Sequence, residues 1–242
     1  MKSFSIKSRI LTCLTAALLL TASLSACGMP QLDRLVFEDM TYTLYGHGRV
    51  ERIEVERDGQ RIGSYAAKGM TDELLAKLDD NSHGFLLSDL NFDGKGDMLL
   101  KTASTKAGIR YTAFLWDDTK EEYVSNTSLS SLADIGMITS LKVITAKEYA
   151  YTIDPAVGDT PEFFAERHSL VLYRWIDGKL TEVHRKDRIY YEENDIYCYA
   201  VYDLTEEGKL ELTRESWVAP EKMNDEKYPL DATGFEGYAV HD

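Results

Sequence analysis

Oxygen-bearing side chains recur at regular intervals in the stretch from Asp89 to Asp97. Counted from the first residue, they occupy positions 1, 3, 5 and 9 and belong to Asp89, Asn91, Asp93 and Asp97. A calcium ion takes about six to eight oxygen ligands, and alternate residues of a tightly wound loop can point inward to supply them. The spacing predicts a Ca2+ site, in which Lys95 adds its backbone carbonyl and Gly94 adopts the positive φ that turns the chain.

The residues on either side of the loop indicate which kind of calcium loop it is. In an EF-hand, position 12 is a glutamate on a following helix, whereas position 12 here is Leu100. The apolar runs Phe85 to Leu87 and Met98 to Lys101 favour two short strands joined by the loop, so Asp97 must close the coordination shell. The alternative is a plain Asp-Gly turn that binds nothing, but such a turn needs only one Asp-Gly pair.

Residues 1–26 have the organisation of an export signal. Lys2, Lys7 and Arg9 form a charged region, and Ile10 to Leu20 form an apolar region that is short for a membrane span. These residues are therefore excluded from predictions about the fold.

The end of this segment, Leu24-Ser25-Ala26-Cys27, resembles a bacterial lipobox. The resemblance implies that Cys27 is acylated and holds a soluble body at a membrane. Gly28 stands where an aspartate would mark retention in the inner membrane of Gram-negative bacteria. We therefore expect a lipid-anchored protein of the cell envelope. It would face the periplasm from the outer membrane of a Gram-negative source, or lie on the outer face of a Gram-positive plasma membrane.

Charge and cysteine content limit the classes of partner and of stabilising bond. The 242-residue chain has a formal net charge of −14, and loss of the three basic residues of the signal makes it more negative still. Phosphate binding needs clustered basic residues, so nucleic acid is not expected as a partner, whereas a basic protein is. After the signal and Cys27, Cys198 is the one remaining cysteine, so no intramolecular disulfide can form. Its apolar surroundings favour a buried, inert thiol.

Strand patterns dominate the rest of the chain. Asp58-Gly59, Asp177-Gly178 and the stretch from Glu206 to Gly208 each separate two β-rich runs, as hairpin turns do. Lys142 to Ile153 is interpreted as a further strand pair, bent near Lys147. The stretch from Thr71 to Leu78 predicts the one clear helix, since Thr71 can cap it and acids fill its first turn.

The resulting fold class is all-β, with antiparallel hairpins in a propeller-like or sandwich domain and one short helix. Residues 27–35 are predicted to be a tether and residues 36–218 the calcium-stabilised β-domain. Residues 219–242 form a turn-rich C-terminal tail, either a strap over the domain or a partly disordered segment.

Catalytic and metal-binding alternatives find little support. The chain has five histidines without the H-E-x-x-H spacing of a zinc site: His47, His83, His168, His184 and His241. Glu166 and His168 could chelate zinc from one strand face, although a solvated face is the better reading. The acid pairs Asp117-Asp118 and Glu192-Glu193 point apart on a strand, unlike the carboxylates of a glycosidase. We therefore expect no enzyme.

Aromatic strand residues offer a further alternative, a carbohydrate platform. The candidates are Tyr111, Trp116, Tyr173, Trp175, Tyr190 and Tyr191. Such residues are more often core or cross-strand pairs, and we interpret them so.

Three segments together resemble a group of bacterial envelope lipoproteins. They are Asp89-Leu90-Asn91-Phe92-Asp93-Gly94 with Asp97, then Tyr111-x-x-Phe114-Leu115-Trp116-Asp117 with Tyr123-Val124, and Tyr173-x-Trp175-x-Asp177-Gly178-Lys179-Leu180. In that group one D-x-N-F-D-G-x-x-D calcium loop sits in a single propeller-like β-domain. Its best-understood members resemble periplasmic inhibitors of invertebrate-type lysozyme, which act as immunity proteins against peptidoglycan-cleaving effectors. The resemblance implies a structural Ca2+ ion and a lysozyme-like hydrolase as partner.

Three classes of function remain open from the sequence. The first is an envelope protein that binds and inhibits a protein partner, and the second is a calcium-stabilised adhesive or structural module. The third is a calcium-using envelope hydrolase. The missing catalytic constellation favours the first two, with calcium acting on stability and not on chemistry.

Overall fold

Short strands joined by tight turns make up most of the chain that the structure describes. A computed structural model describes residues 29–66, 84–105, 108–154, 163–224, 227–231 and 235. The first eight strands are β1 (Gln31–Phe37), β2 (Met40–Tyr45), β3 (Arg52–Arg57), β4 (Gln60–Ala66), β5 (Phe85–Ser88), β6 (Asp97–Thr105), β7 (Gly108–Asp117) and β8 (Glu122–Asn126). The next six are β9 (Ala133–Ile138), β10 (Val143–Asp154), β11 (Phe163–Ile176), β12 (Lys179–Tyr191), β13 (Ile196–Leu204) and β14 (Leu210–Val218).

Helical structure within these ranges is brief. One α-helical turn, α1 (Thr127–Ser130), follows β8, and its first turn is capped because the Asn126 side chain accepts a hydrogen bond from the Leu129 N–H at 2.9 Å. Single 3-10 turns occur at Thr139–Leu141, Glu192–Asn194 and Pro220–Lys222.

The strands form two antiparallel sheets. Strands β1 to β4 make a four-stranded meander in chain order. The other ten make one sheet in the order β14-β13-β12-β11-β10-β9-β7-β6-β5, with β8 paired to β7. Sequence neighbours are sheet neighbours almost throughout, which follows from the tight hairpin turns.

One core lies between the small sheet and the first strands of the large sheet. From the small sheet, Tyr42, Leu44, Ile53 and Val55 are buried at alternating strand positions, and they join a cluster with residues of β5 to β8. Two sheets that share such a core form a sandwich-like arrangement. The predicted all-β, antiparallel class is thereby confirmed, and of the two arrangements considered, the sandwich fits.

Further cores lie on both faces of the large sheet. Leu99 on β6 and Ala113 on β7 belong to the same buried cluster as Ile144 and Ala146 on β10. Leu90, in the loop after β5, is part of this cluster as well. The opposite face of β10 to β14 is covered by the chain after β14, whose Met223 and Phe235 are buried.

Hairpins predicted from Asp-Gly pairs are present where expected. Asp58-Gly59 connects β3 to β4, and Asp177-Gly178 connects β11 to β12. All four residues have positive φ, between 49° and 76°. Gly and Asp tolerate this conformation better than most residues do, which is why the pair predicts the turn.

Two boundaries differ from the prediction. The stretch from Lys142 to Ile153 is not a bent pair, because all of it after Lys142 lies within one continuous strand, β10. The expected bend corresponds only to a register shift against β9 between Thr145 and Lys147. The tether, predicted to extend to residue 35, ends earlier, because β1 begins at Gln31 and pairs with β2. Its side chains are largely exposed, so the burial signal that marks a strand is weak there.

Several predicted features lie outside the residues that the structure describes. These are the export signal, the lipidation site Cys27, the helix from Thr71 to Leu78, and His83 and His241. No helix in the described ranges is both long and apolar enough to span a membrane.

Candidate functional site

The Asp89–Asp97 loop connects β5 to β6, as its flanking apolar runs predicted. The chain turns back through two residues of positive φ, Phe92 at 60° and Gly94 at 87°. The positive φ expected of Gly94 is thus present. A Cβ on Gly94 would meet no atom within 4 Å, so the conformation and not space favours glycine there.

The outer half of the loop is closed by hydrogen bonds from its own backbone. The Asp93 N–H donates to Asp89 Oδ1 at 3.1 Å and to Asn91 Oδ1 at 3.2 Å, and the Gly94 N–H donates to Asp89 Oδ2 at 3.0 Å. The Lys95 N–H donates to Asp93 Oδ1 at 2.8 Å, and the Asn91 amide donates to Asp93 Oδ2 at 2.7 Å. Three of the predicted ligand side chains therefore surround one turn of backbone.

Asp97 lies on the inner side of the loop and is fully buried. Its Oδ2 accepts the Leu90 N–H at 2.7 Å, and its Oδ1 accepts the Trp116 N–H of β7 at 2.9 Å. Burial raises the pKa of this carboxyl to about 6, and the backbone hydrogen bonds oppose the rise. Asp97 thus ties the start of the loop to the neighbouring strand.

Two aromatic side chains fix the loop from other strands. The Tyr123 hydroxyl on β8 donates to the Gly96 carbonyl at 2.9 Å, and the Trp175 indole N–H on β11 donates to the Leu90 carbonyl at 2.8 Å. The three sequence segments that carry the family resemblance therefore meet at this loop. The sequence offered no signal for these pairings, because the partners are far apart along the chain.

The residues of the loop fit calcium by chemistry but do not converge as a metal cluster. Carboxylate, amide and carbonyl oxygens are the ligands that Ca2+ prefers, and a carboxylate oxygen with one hydrogen bond keeps a second lone pair. Within the described ranges, however, no group of three or more His, Cys, Asp or Glu side chains is placed to hold a metal ion. Each predicted side-chain oxygen already accepts a hydrogen bond.

A second candidate region, which we call the tyrosine surface, lies at one end of strands β10 to β13. It consists of Tyr149, Tyr151, Glu166, His168, Tyr190 and Tyr197. Register places them on one face, because Tyr149 is opposite His168, Tyr151 is opposite Glu166, and Tyr190 lies between Glu166 and Tyr197. All six are half-buried or exposed, and Tyr151 is 54% exposed.

Rings and carboxylates alternate across this surface. The rings of Tyr149 and His168 are 5.0 Å apart, and those of Tyr190 and Tyr197 are 4.8 Å apart. Glu166 Oε1 lies 3.3 Å from His168 Nε2, and its hydrogen bond to the Tyr149 hydroxyl raises the pKa of that phenol. The surface therefore combines flat apolar rings with carboxylates.

Two more acids border the surface from the 3-10 turn between β12 and β13. The Tyr190 hydroxyl donates to Asp195 Oδ1 at 2.9 Å, and this hydrogen bond raises the pKa of Tyr190. The Tyr151 hydroxyl approaches Glu192 Oε1 at 3.5 Å. None of the carboxylates of Glu166, Glu192 and Asp195 forms an ion pair with a lysine or arginine in the described ranges. No described lysine or arginine therefore compensates their charge.

The remaining candidates from the sequence are mostly structural. Trp116 is buried in the first core, and Tyr111, Tyr173 and Trp175 pack against the second, as interpreted. Tyr190 forms a cross-strand pair with Tyr197, and Tyr191 lies 5.5 Å from Trp217 on the other face. Cys198 is buried, as expected, and burial raises the pKa of its thiol to about 11, which disfavours the reactive thiolate.

Comparison with known proteins gives few matches. No protein-family model matches the chain, and no curated protein matches it. One solved structure, described as a Xanthomonas type IV secretion system related protein, is 15% identical and has a TM-score of 0.47. The match covers 77% of this chain and 87% of that one. At that distance the likeness carries no argument, so the proposals below rest on the residues of this chain.

Proposed function

We propose that this chain is a lipid-anchored envelope protein that binds a basic protein partner. The specific candidate is a lysozyme-like peptidoglycan hydrolase, which the bound chain would inhibit. The family resemblance of the Asp89–Asp97 loop and its associated strands suggests this partner class. The acidic charge of the chain suits a basic partner, because complementary charges speed and orient association.

The tyrosine surface is the observation that carries this proposal. Protein interfaces are enriched in tyrosine, whose ring supplies contact area at little conformational cost while its hydroxyl stays hydrogen-bonded. Glu166, Glu192 and Asp195 add negative charge that no described lysine or arginine neutralises. A partner can therefore supply the missing cations.

Binding would use the rings and the carboxylates together. A lysine or arginine side chain of the partner can lie over the Tyr149 or Tyr190 ring while its charged end reaches a neighbouring carboxylate. The phenol hydroxyls that now contact Glu192 and Asp195 would give way to stronger, charge-assisted hydrogen bonds. Such an interface gains much of its association rate from electrostatic steering and weakens as salt is added.

The experiment that tests the proposal is an inhibition assay. Purified lysozyme-like hydrolases are mixed with increasing amounts of the chain, and clearing of peptidoglycan is followed at low and at physiological salt. We expect dose-dependent inhibition that weakens with salt. Glu166→Lys should raise the inhibitory concentration at least about tenfold, because like charges then face each other across the interface.

A matched control separates the surface from overall charge. Glu206→Lys makes the same change of charge in the exposed turn between β13 and β14, at the opposite end of these strands. This variant should inhibit like the unmodified chain. Equal weakening by both variants would mean that net charge and not the tyrosine surface binds the hydrolase. Failure to inhibit any hydrolase of the panel would reject the partner class.

For the loop we propose a structural calcium ion and no chemistry. The oxygens of Asp89, Asn91 and Asp93, with the Lys95 carbonyl, would take the ion, and Asp97 would complete the site from the inner side with its remaining lone pairs. We expect no hydrolysis of glycan or peptide substrates. Turnover that disappears in a chelator would instead support a calcium-using hydrolase.

A further inference from the structure

A cavity of about 230 Å³ lies where the start of β9 separates β7 from β10. Its apolar wall includes Ala133, Ala146 and Ala150, whose small side chains leave space between the strands. Arg110 from β7 and Arg167 from β11 line it from two sides. Two guanidinium groups therefore line this cavity, although the chain has a formal net charge of −14.

Arg110 uses little of its hydrogen-bonding capacity. Its Nη1 donates to the Ser131 carbonyl at 3.0 Å, which positions the guanidinium at the rim. A guanidinium has five N–H donors, and no carboxylate in the described ranges forms an ion pair with this one. Donors are therefore left over on the side of the cavity.

Arg167 is less exposed and also lacks an ion pair in the described part of the chain. Its Nε is buried and has no hydrogen-bond partner there. The charge of Arg167 acts on the carboxyl of Asp187. Burial raises the pKa of that carboxyl, and the charges of Arg185 and Arg167 oppose the rise. Asp187, however, forms its ion pair with Arg185, at 3.7 Å, and none with Arg167. An unpartnered buried donor costs folding free energy unless something accepts its hydrogen bond.

The acid that lines the cavity is already engaged. Glu148 accepts a hydrogen bond from Arg185 Nη1 at 2.8 Å, and its hydrogen bond to the Tyr173 hydroxyl contributes to the raised pKa of that phenol. Arg185 also binds Glu182 at 2.5 Å, so one arginine holds the acids of this region. Arg110 and Arg167 are left facing the cavity, and no described carboxylate forms an ion pair with either of them.

We propose that this cavity binds an oxyanion, a phosphate or carboxylate group, between Arg110 and Arg167. Guanidinium groups bind such groups through two parallel N–H···O bonds, which fixes both charge and orientation. The small side chains of the alanine wall leave room for the atoms that carry the group. The site is separate from the Asp89–Asp97 loop and shares only Tyr149 with the tyrosine surface. It does not depend on the function proposed above.

Titration with inorganic phosphate, and separately with acetate, tests the site at constant ionic strength in chloride. Backbone amide shifts in NMR spectra report binding to the full mature chain. We expect saturable shifts in the millimolar range at Ala133, Ala146 and their neighbours. Binding of phosphate identifies a phosphate group as the natural ligand class, and binding of acetate alone identifies a carboxylate.

Three variants locate the binding. Arg167→Gln and Arg110→Gln should each weaken binding at least about tenfold, since each removes a charged hydrogen bond. Arg167→Lys should weaken anion binding as well, because an ammonium keeps the charge but cannot form the two parallel N–H···O bonds. Arg61→Gln is the control, since Arg61 pairs with Glu54 at 3.5 Å and lines a different cavity.

Two results would overturn the proposal. One is the absence of saturable shifts with either anion. The other is binding that both Arg110→Gln and Arg167→Gln retain, with melting temperatures that show both variants to be folded. Arg110 is exposed, so its variant should fold even if Arg167→Gln does not.

Discussion

Acidic side chains have opposite roles in the Asp89–Asp97 loop and on the tyrosine surface. In the loop, the oxygens of Asp89 and Asp97 accept hydrogen bonds from backbone N–H groups. On the tyrosine surface, Glu166, Glu192 and Asp195 contact only phenols and an imidazole among the described residues. A loop carboxylate can lose its backbone N–H donors only if the loop unfolds. A surface carboxylate can exchange its phenol donor for a group of a binding partner.

This contrast indicates which acidic residues of the chain are available for binding. An aspartate at regular spacing draws attention in the sequence, yet here it is bound into the fold. The acids that contact only displaceable side chains are the ones that can act on another molecule. The following predictions compare the two regions directly.

Asp97→Ala should have the largest effect on stability. Removal of the carboxylate leaves the Leu90 and Trp116 N–H groups without their acceptor inside the protein. The free energy of unfolding should fall by roughly 3 kcal/mol. For a chain of this size that lowers the melting temperature by roughly 6 to 12 °C. Thermal unfolding followed by circular dichroism, in the presence of a chelator, measures the effect apart from calcium.

The corresponding change on the tyrosine surface is the control for that experiment. Glu166→Ala should leave the melting temperature within about 1 °C, as expected for a partly exposed side chain that pairs with no lysine or arginine in the described ranges. An equal loss of stability in the two variants would remove the distinction between the regions.

Removal of calcium should have an intermediate effect on stability, and this effect should depend on the Asp89–Asp97 loop. Extracellular oxygen loops bind calcium with dissociation constants of about 10⁻⁴ to 10⁻³ M. At about ten times the dissociation constant, the ion stabilises the fold by about 1.4 kcal/mol. Chelator should therefore lower the melting temperature by roughly 3 to 6 °C. Asp93→Ala should lower it similarly and abolish the response to calcium, and an identical melt with and without chelator would exclude the site.

Tyr151→Ala should change binding while leaving stability nearly intact. Its ring is largely exposed, so removal opens no cavity in the core. The melting temperature should move by about 1 °C at most. Inhibition of a responsive hydrolase should fall several-fold, and unchanged inhibition would place the interface elsewhere.

The smallest effect is expected in the rate at which the Cys198 thiol is alkylated. This rate can be compared between variants of the loop and of the tyrosine surface. Cys198 lies on β13 between two tyrosines, and burial raises the pKa of its thiol to about 11, so little thiolate exists in the folded protein at pH 8. With Cys27 acylated, alkylation of Cys198 should be slow in the native protein and fast in denaturant. Asp97→Ala should accelerate it by populating the unfolded state, and Tyr151→Ala should not. Rapid labelling of the native protein would contradict its burial.

Local signals in the sequence were sufficient where turn chemistry decides the structure. Asp58-Gly59 and Asp177-Gly178 predict their hairpins because their conformation is intrinsic to the residues. The spacing from Asp89 to Asp97 likewise predicts a wound loop between two strands. These features depend on neighbours within a few positions.

Pairings between distant residues could not be read in the same way. The Trp116 N–H that holds Asp97 and the Trp175 indole that holds Leu90 reach the loop only after the strands have paired. The tyrosine surface depends on the register of four strands, and a shift of one residue would turn its side chains to the other face. Strand β1 was missed in part because its exposed side chains show no burial pattern.

The C-terminal tail, finally, is held to the large sheet largely by its own carbonyl groups. Arg188 Nη2 donates to the Tyr228 carbonyl at 2.6 Å, the Tyr199 hydroxyl to the Pro229 carbonyl at 3.1 Å, and Lys186 Nζ to the Asp231 carbonyl at 2.7 Å. Of the two readings of the tail, the strap therefore applies to residues 227–231. Every residue type carries the same carbonyl, so these three hydrogen bonds do not depend on which residues form the tail, whereas the side-chain packing of Tyr228 and Leu230 does. The number and spacing of the tail residues, by contrast, are constrained, since a single inserted or deleted residue would bring the wrong carbonyls to the sheet.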